Sequence, residues 1–139
     1  MGILDGKRLL ITGVLTDASL AFAVAKLAQE EGAEIVLTGA GRGMRLTERT
    51  ARKLPEEAEV LEFDVTSAEQ AAAVRDHLAA KWGQVDGALH AIGFAPEVCL
   101  GEDFMAAQWA DVSVAVEISA YSLKTVAEVV APLMTGGGS

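Results

Sequence analysis

Short apolar runs alternate with amphipathic stretches along the whole chain. Residues 7–12 (KRLLIT) form a compact apolar run closing on Gly13, the pattern of a strand buried on both faces. Asp17 precedes a helical stretch over 18–31, where Ala21, Val24, Ala25 and Ala28 share one face while Lys26, Gln29 and Glu30 point away. Gly32 stops this helix where a left-handed residue is favoured. The second strand is 34–38 (EIVLT), followed by a loop holding Gly39, Gly41 and Gly43 and by a charged helix over 44–54, halted before Pro55. Residues 59–65 (EVLEFDV) make the third strand. Thr66 or Ser67 then caps a helix running to Trp82, with Ala71, Val74, Leu78 and Trp82 on its buried side. Residues 85–92 (VDGALHAI) make the fourth strand. Beyond a Gly- and Pro-containing loop, the last helix covers 110–131 and Pro132 closes it. Gly136, Gly137, Gly138 and Ser139 suggest a turn, with a fifth strand as the next element of the pattern.

Strands that are each followed by a helix imply right-handed crossovers and a parallel sheet covered on both faces. The expected architecture is α/β, a doubly wound parallel sheet of about four strands in the order 3-2-1-4. The 139 residues suffice for one domain, 1–139, with one buried core. Half the chain (51%) is apolar and only 5% aromatic, which favours closely packed helices on a buried sheet over a β-sandwich.

Charge and cysteine content narrow the partners. A net charge of −9 provides no field for a polyanion, so nucleic acid is excluded as the expected partner. The lone Cys99 cannot form an internal disulfide, and no stretch has the length of a membrane span. The opening residues, 1–7, lack the basic start and apolar core of a signal peptide. The expected setting is cytoplasmic.

In a doubly wound sheet a ligand binds outside the carboxyl ends of the strands, where the strand order reverses. Residues 12–21 (TGVLTDASLA) occupy that place. Gly13 permits a sharp exit from the first strand, and the free N–H groups of the following helix suit a pyrophosphate. Ser19 adds a hydroxyl, and Ala21 is small enough for close packing of helix on strand. With only the first of the usual three glycines, the turn alone is a weak signal, and the reading in which Gly13 and Ala21 serve only packing stands ahead of nucleotide binding.

Further segments decide the direction: 61–65 (LEFDV), 90–96 (HAIGFAP), 118–122 (ISAYS) and the opening 6–13 (GKRLLITG). Together they resemble the NADH-dependent enoyl-acyl-carrier-protein reductases of fatty-acid synthesis, short-chain dehydrogenases with a Rossmann-like fold, most closely the actinobacterial long-chain type. The resemblance covers essentially the whole chain. It implies that Gly13, Leu15, Ser19 and Leu20 line the pyrophosphate and nicotinamide side, and that Asp64, beside Val65, accepts from the adenine amino group. It implies that Ile92 and Gly93 run close to the riboses, that Ile118 lies near the coenzyme, and that Phe94 walls the nicotinamide and the enoyl group. The implied coenzyme is NADH and the implied substrate an enoyl thioester of acyl carrier protein, reduced by hydride at the β-carbon and protonated at the α-carbon.

Two positions depart from the family pattern. Ala91 stands where a serine is usual, at a cost of about 1 kcal/mol for one net hydrogen bond. Ala40 stands where close relatives place an aromatic against the adenine, a loss of roughly 0.5–1.5 kcal/mol of stacking. The second strand also lacks a terminal acid to hold the ribose 2′-OH. Arg42, Arg45, Arg49, Arg52 and Lys53 follow it instead, so a 2′-phosphate, and hence NADPH, remains open beside the reading of a solvated helix face.

The family's Tyr-x6-Lys pair is not found. The single tyrosine, Tyr121, has Glu128 at that spacing and Lys124 as a helical neighbour, and is read as packing or hydrogen-bonding on its helix. His90 is read as a satisfied strand-end histidine, His77 as a surface residue, and Asp86 and Asp111 as turn and cap residues. No catalytic residue and no metal-ligand spacing is assigned. Three readings follow: a truncated reductase, inactive alone, that retains dinucleotide affinity; a non-catalytic nucleotide-binding or interaction module derived from that family; or a vestigial site on a surviving fold. Truncation implies an unpaired fourth-strand edge and a last helix short of partners, and so a homo-oligomer built through that edge and helix.

Overall fold

A computed structural model describes residues 2–139; Met1, from which the N-terminal reading starts, lies outside them. Four strands, β1 (Arg8–Ile11), β2 (Glu34–Gly39), β3 (Glu59–Glu62) and β4 (Gly87–Leu89), form one parallel sheet in the order β3-β2-β1-β4. The helices are α1 (Leu20–Glu30), α2 (Met44–Ala51), α3 (Ala68–Lys81), α4 (Trp109–Val116) and α5 (Ser122–Val130).

Alternation along the strands builds a core on each face, because successive side chains point to opposite sides. Ile11, Ile35 and Leu37 pack with Ala21, Ala25 and Ala28 of α1 and Ala51 of α2. Leu10 and Val36 pack on the other face with Val74 and Leu78 of α3 and Val126, Val129 and Val130 of α5. Each fully buried Leu, Ile or Val contributes about 1.5–3 kcal/mol. The alanine stripe of α1 is narrower than expected. Val24 lies on its flank and is 44% exposed.

Several boundaries differ from the expectation. The first helix begins at Leu20, after a turn closed by the Ser19 amide on the Thr16 carbonyl (3.0 Å). The glycine loop after β2 tightens into a 3-10 turn, Gly41–Gly43, which leads directly into α2. The fourth strand, expected over 85–92, ends at Leu89. Thr12, fully buried, explains this: its hydroxyl donates to the Leu89 carbonyl (2.7 Å) and accepts the Ala91 amide (3.0 Å). A side chain thus replaces the next rung of the β1–β4 ladder, and residues beyond His90 diverge from β1.

The last helix is broken in register. Between α4 and α5 the backbone widens into a π turn, Glu117–Tyr121. Asp111 caps α4 in a reciprocal pair with Gln108, as its cap reading expects.

The outer edge of β4 is not bare. A 3-10 turn, Ala131–Leu133, and a left-handed Gly137 (φ 85°) bring Ser139 back beside β4. Ser139 donates to the Asp86 carbonyl (3.2 Å) and accepts the Ala88 amide (2.9 Å), the two bonds of a parallel rung. Gly87, with no side chain, allows this approach.

Candidate coenzyme site

The strand order reverses at β1, whose neighbours are β2 on one side and β4 on the other. Past the carboxyl ends of these strands lies a cavity of about 430 Å³. It is bounded by the turn after β1, the β2–α2 connection, the end of β3, residues 91–94 and the π turn. Its walls are mostly apolar, and among the described residues Asp64 is the one charged residue that lines it. Few polar groups on an apolar wall is the usual make-up of a small-molecule site.

Gly13 shapes the floor. Its φ is +83°, and a Cβ there would lie 2.0 Å from the Ala91 carbonyl oxygen. No other residue permits both the turn and the contact of the two strand ends. Two threonines of α2 hold the same turn from the other side. Thr47, fully buried, donates to the Val14 carbonyl (2.6 Å), and Thr50 donates to the Leu15 carbonyl (2.9 Å). The charged helix thus turns a second, buried face, Thr47 and Thr50, toward the turn and brackets it.

Most of the residues picked from the sequence converge here. Gly13, Leu15, Ala40, Asp64, Val65, Ile92, Gly93, Phe94 and Ile118 all line the cavity. Ser19 and Leu20 are not among its lining. Ser19 sits in the turn, where its Oγ accepts the Leu15 and Thr16 amides, each at 3.1 Å, leaving its hydroxyl hydrogen available as a donor. Leu20 is 87% exposed at the start of α1. Asp64 is anchored by Thr66, whose amide (2.9 Å) and hydroxyl (2.6 Å) both donate to its Oδ1. Gly39, Gly43, Thr38, Thr47 and Phe63 also line the cavity without having been singled out for it; the glycine-rich loop after β2 was the one available signal.

The basic cluster divides. Lys53 donates to Asp17 (2.8 Å) and holds that carboxyl below the usual aspartate range, while Arg52 pairs with Glu57 (3.6 Å). No ion pair among the described residues involves Arg42, Arg45 or Arg49. Arg42 lies in the chain between Gly41 and Gly43, which line the cavity.

Tyr121 is elsewhere. It lines a separate groove between α3 and α5, with the Lys124 ammonium 5.7 Å from its ring centre. Glu128 accepts from Lys124 at 2.6 Å and, by that bond, raises the lysine pKa. His90 Nε2 lies 2.7 Å from Ser122 Oγ, so the histidine has a partner, as its strand-end reading expects.

The family model described as enoyl-(acyl carrier protein) reductase matches residues 13–139. The chain belongs to that family. It is 45% identical to the enoyl-acyl-carrier-protein reductase (NADH) of Mycolicibacterium smegmatis, over 99% of this chain and 52% of the relative. The reductase of the same name from Mycobacterium avium is 40% identical over the same shares, and that of Neisseria meningitidis 37%, over 100% of this chain and 54% of the relative. The chain thus spans about half the length of these curated relatives. Within the reductase family frame, the cavity falls inside the matched segment. No helix among the described residues is long and apolar enough to cross a membrane.

Proposed function

We propose that the cavity is a dinucleotide site for NADH and that this chain supplies the coenzyme-binding half of an enoyl-thioester reductase. The observation that carries the reading is Gly13: with no Cβ and a left-handed backbone, it opens a crevice where the order of a parallel sheet reverses. What supports a dinucleotide here is a residue without a side chain at the end of β1 and, among the described lining residues, one carboxylate, Asp64, just beyond β3. The names of the relatives specify NADH.

In this reading Gly13 and Leu15 flank the pyrophosphate and Ser19 donates its hydroxyl hydrogen to it. Asp64 accepts from the adenine amino group through Oδ2, its Oδ1 being held by Thr66. Ala40 and Val65 border the adenine, Ile92, Gly93 and Ile118 border the riboses and nicotinamide, and Phe94 walls the side where an enoyl thioester of acyl carrier protein would enter. NADH, when bound, supplies the hydride; the protein supplies position and exclusion of water. With Tyr121 and Lys124 outside the crevice, the chain alone binds the coenzyme without turnover. A cytoplasmic setting accords with the single, unpaired Cys99.

Titration with NADH, followed by nicotinamide fluorescence, tests this. Saturable binding with no oxidation on adding an enoyl thioester is the expected result; turnover would refute the assignment of Tyr121 to another place. Arg42, Arg45 and Arg49, free of acidic partners among the described residues, favour a second reading in which NADPH is preferred. That reading requires NADPH to bind more tightly than NADH and Arg42→Glu to remove the difference.

Self-association belongs to the same proposal, through α4–α5 rather than through β4. Trp109 and Leu123 are 73% and 58% exposed there, whereas the β4 edge is met by Ser139. A monomer in sedimentation at micromolar concentration would exclude it.

A further inference from the structure

Once β4 ends, the segment beyond His90 has no ladder to hold it, yet Ala91 to Phe94 form one wall of the cavity. Beyond the Ala91 amide, taken by Thr12, its hydrogen bonds run to the π turn. Ser119 Oγ accepts the Phe94 amide (3.0 Å) and donates to the Phe94 carbonyl (2.9 Å). One hydroxyl thus satisfies both backbone groups of a residue that no strand pairs. Ser122 Oγ, in a side chain 1% exposed, lies 2.6 Å from the Ile118 carbonyl and 2.7 Å from His90 Nε2.

Hydrogen counting orders this chain. A serine hydroxyl has one hydrogen. A carbonyl can only accept, so Ser122 donates to Ile118 and must accept from His90. His90 therefore carries a hydrogen on Nε2 and gives it to Ser122. The relay His90–Ser122–Ile118 joins the end of β4 to the residue by which the π turn lines the cavity. Ser119 makes a second junction one residue further along. Single-turn π widenings occur often at functional sites, and here the widened turn, Glu117–Tyr121, is the segment that carries Ile118 and Ser119.

We infer that Ser119 and Ser122 are positioning residues for the coenzyme crevice, fixing Phe94 and Ile118 before the ligand arrives. The inference rests on the NADH reading above. Neither serine need touch the coenzyme; each acts by sparing the ligand the cost of ordering its own wall.

Ser119→Ala is the primary test, because Ser122 is buried and its loss endangers the fold. Ser119→Thr keeps the hydroxyl, and Ser113→Ala removes a helix hydroxyl that bonds only the Ala110 carbonyl. NADH affinity, amide hydrogen exchange at Phe94 and melting temperature are measured on the full chain. Ser119→Ala is expected to weaken NADH about tenfold, corresponding to loss of one to two net hydrogen bonds. It should also speed Phe94 exchange at a melting temperature within about 3 °C of the parent. Ser119→Thr is expected to restore both, and Ser113→Ala to leave both unchanged. Unchanged affinity and exchange in Ser119→Ala, or an equal affinity loss in Ser113→Ala, would overturn the inference while parent binding preserves the coenzyme reading. Failure of the parent chain to bind NADH would overturn both.

Discussion

Gly13→Ala is expected to lose NADH binding and to destabilise the fold by roughly 2–4 kcal/mol, summing a left-handed non-glycine residue and an overpacked contact. The added methyl would meet the Ala91 carbonyl oxygen at 2.0 Å and carbon at 2.6 Å, both backbone atoms that no rotamer change can move. Relief requires the ends of β1 and β4 to separate, which breaks the Thr12 bonds to Leu89 and Ala91. The crevice floor then changes shape even in molecules that remain folded. Denaturant unfolding and NADH titration on the same sample check the two effects. A variant as stable as the parent, with unaltered affinity, would show that Gly13 is a passive turn residue.

Thr47→Val is the second large effect, expected at about 1–3 kcal/mol, the cost of leaving a buried acceptor unsatisfied. The substitution nearly keeps the shape and removes only the hydroxyl. The Val14 carbonyl then loses its 2.6 Å donor at a site where Thr47 is fully buried. Because Val14 and Leu15 line the crevice, loosening them is expected to weaken NADH several-fold as well. Thr47→Ser, which keeps the hydroxyl, is expected to recover most of the affinity. A fall in stability without any change in affinity would confine Thr47 to the core.

The sheet was readable because its strands are short continuous apolar runs, as burial on both faces requires. Leu10 and Ile11 differ by one position and enter opposite cores, as Val36 and Leu37 do, so both faces need apolar residues. The crevice was readable at Gly13, Asp64, Ile92, Gly93 and Ile118, through a turn at a switch point and through family motifs. The hydroxyl anchors were not. Thr12, Thr47, Thr50 and Ser119 act on backbone groups far away in sequence, for example Thr47 on Val14 across 33 positions, and Ser122 meets the His90 ring across 32. Hydroxyl residues carry no periodic signal, and their partners exist only after the chain has folded. In α2 the charges of Arg45, Glu48 and Arg49 masked Thr47 and Thr50, whose three-residue spacing places them on one buried face. The end of β4 was misjudged for a related reason: an apolar run says nothing of a side chain that replaces a ladder bond. At the edge expected to be bare, β4 remains the outer strand but meets one residue, Ser139, because the glycine turn before it folds back, and glycines announce a turn without its direction.

The most direct measurement is amide chemical-shift mapping of NADH on the isotopically labelled chain. Saturable shifts at Gly13, Leu15, Asp64, Ile92, Gly93 and Ile118, with the Tyr121–Lys124–Glu128 groove unperturbed, are the expected result. Shifts confined to that groove, or none at millimolar NADH, would contradict a coenzyme site at the carboxyl ends of the strands.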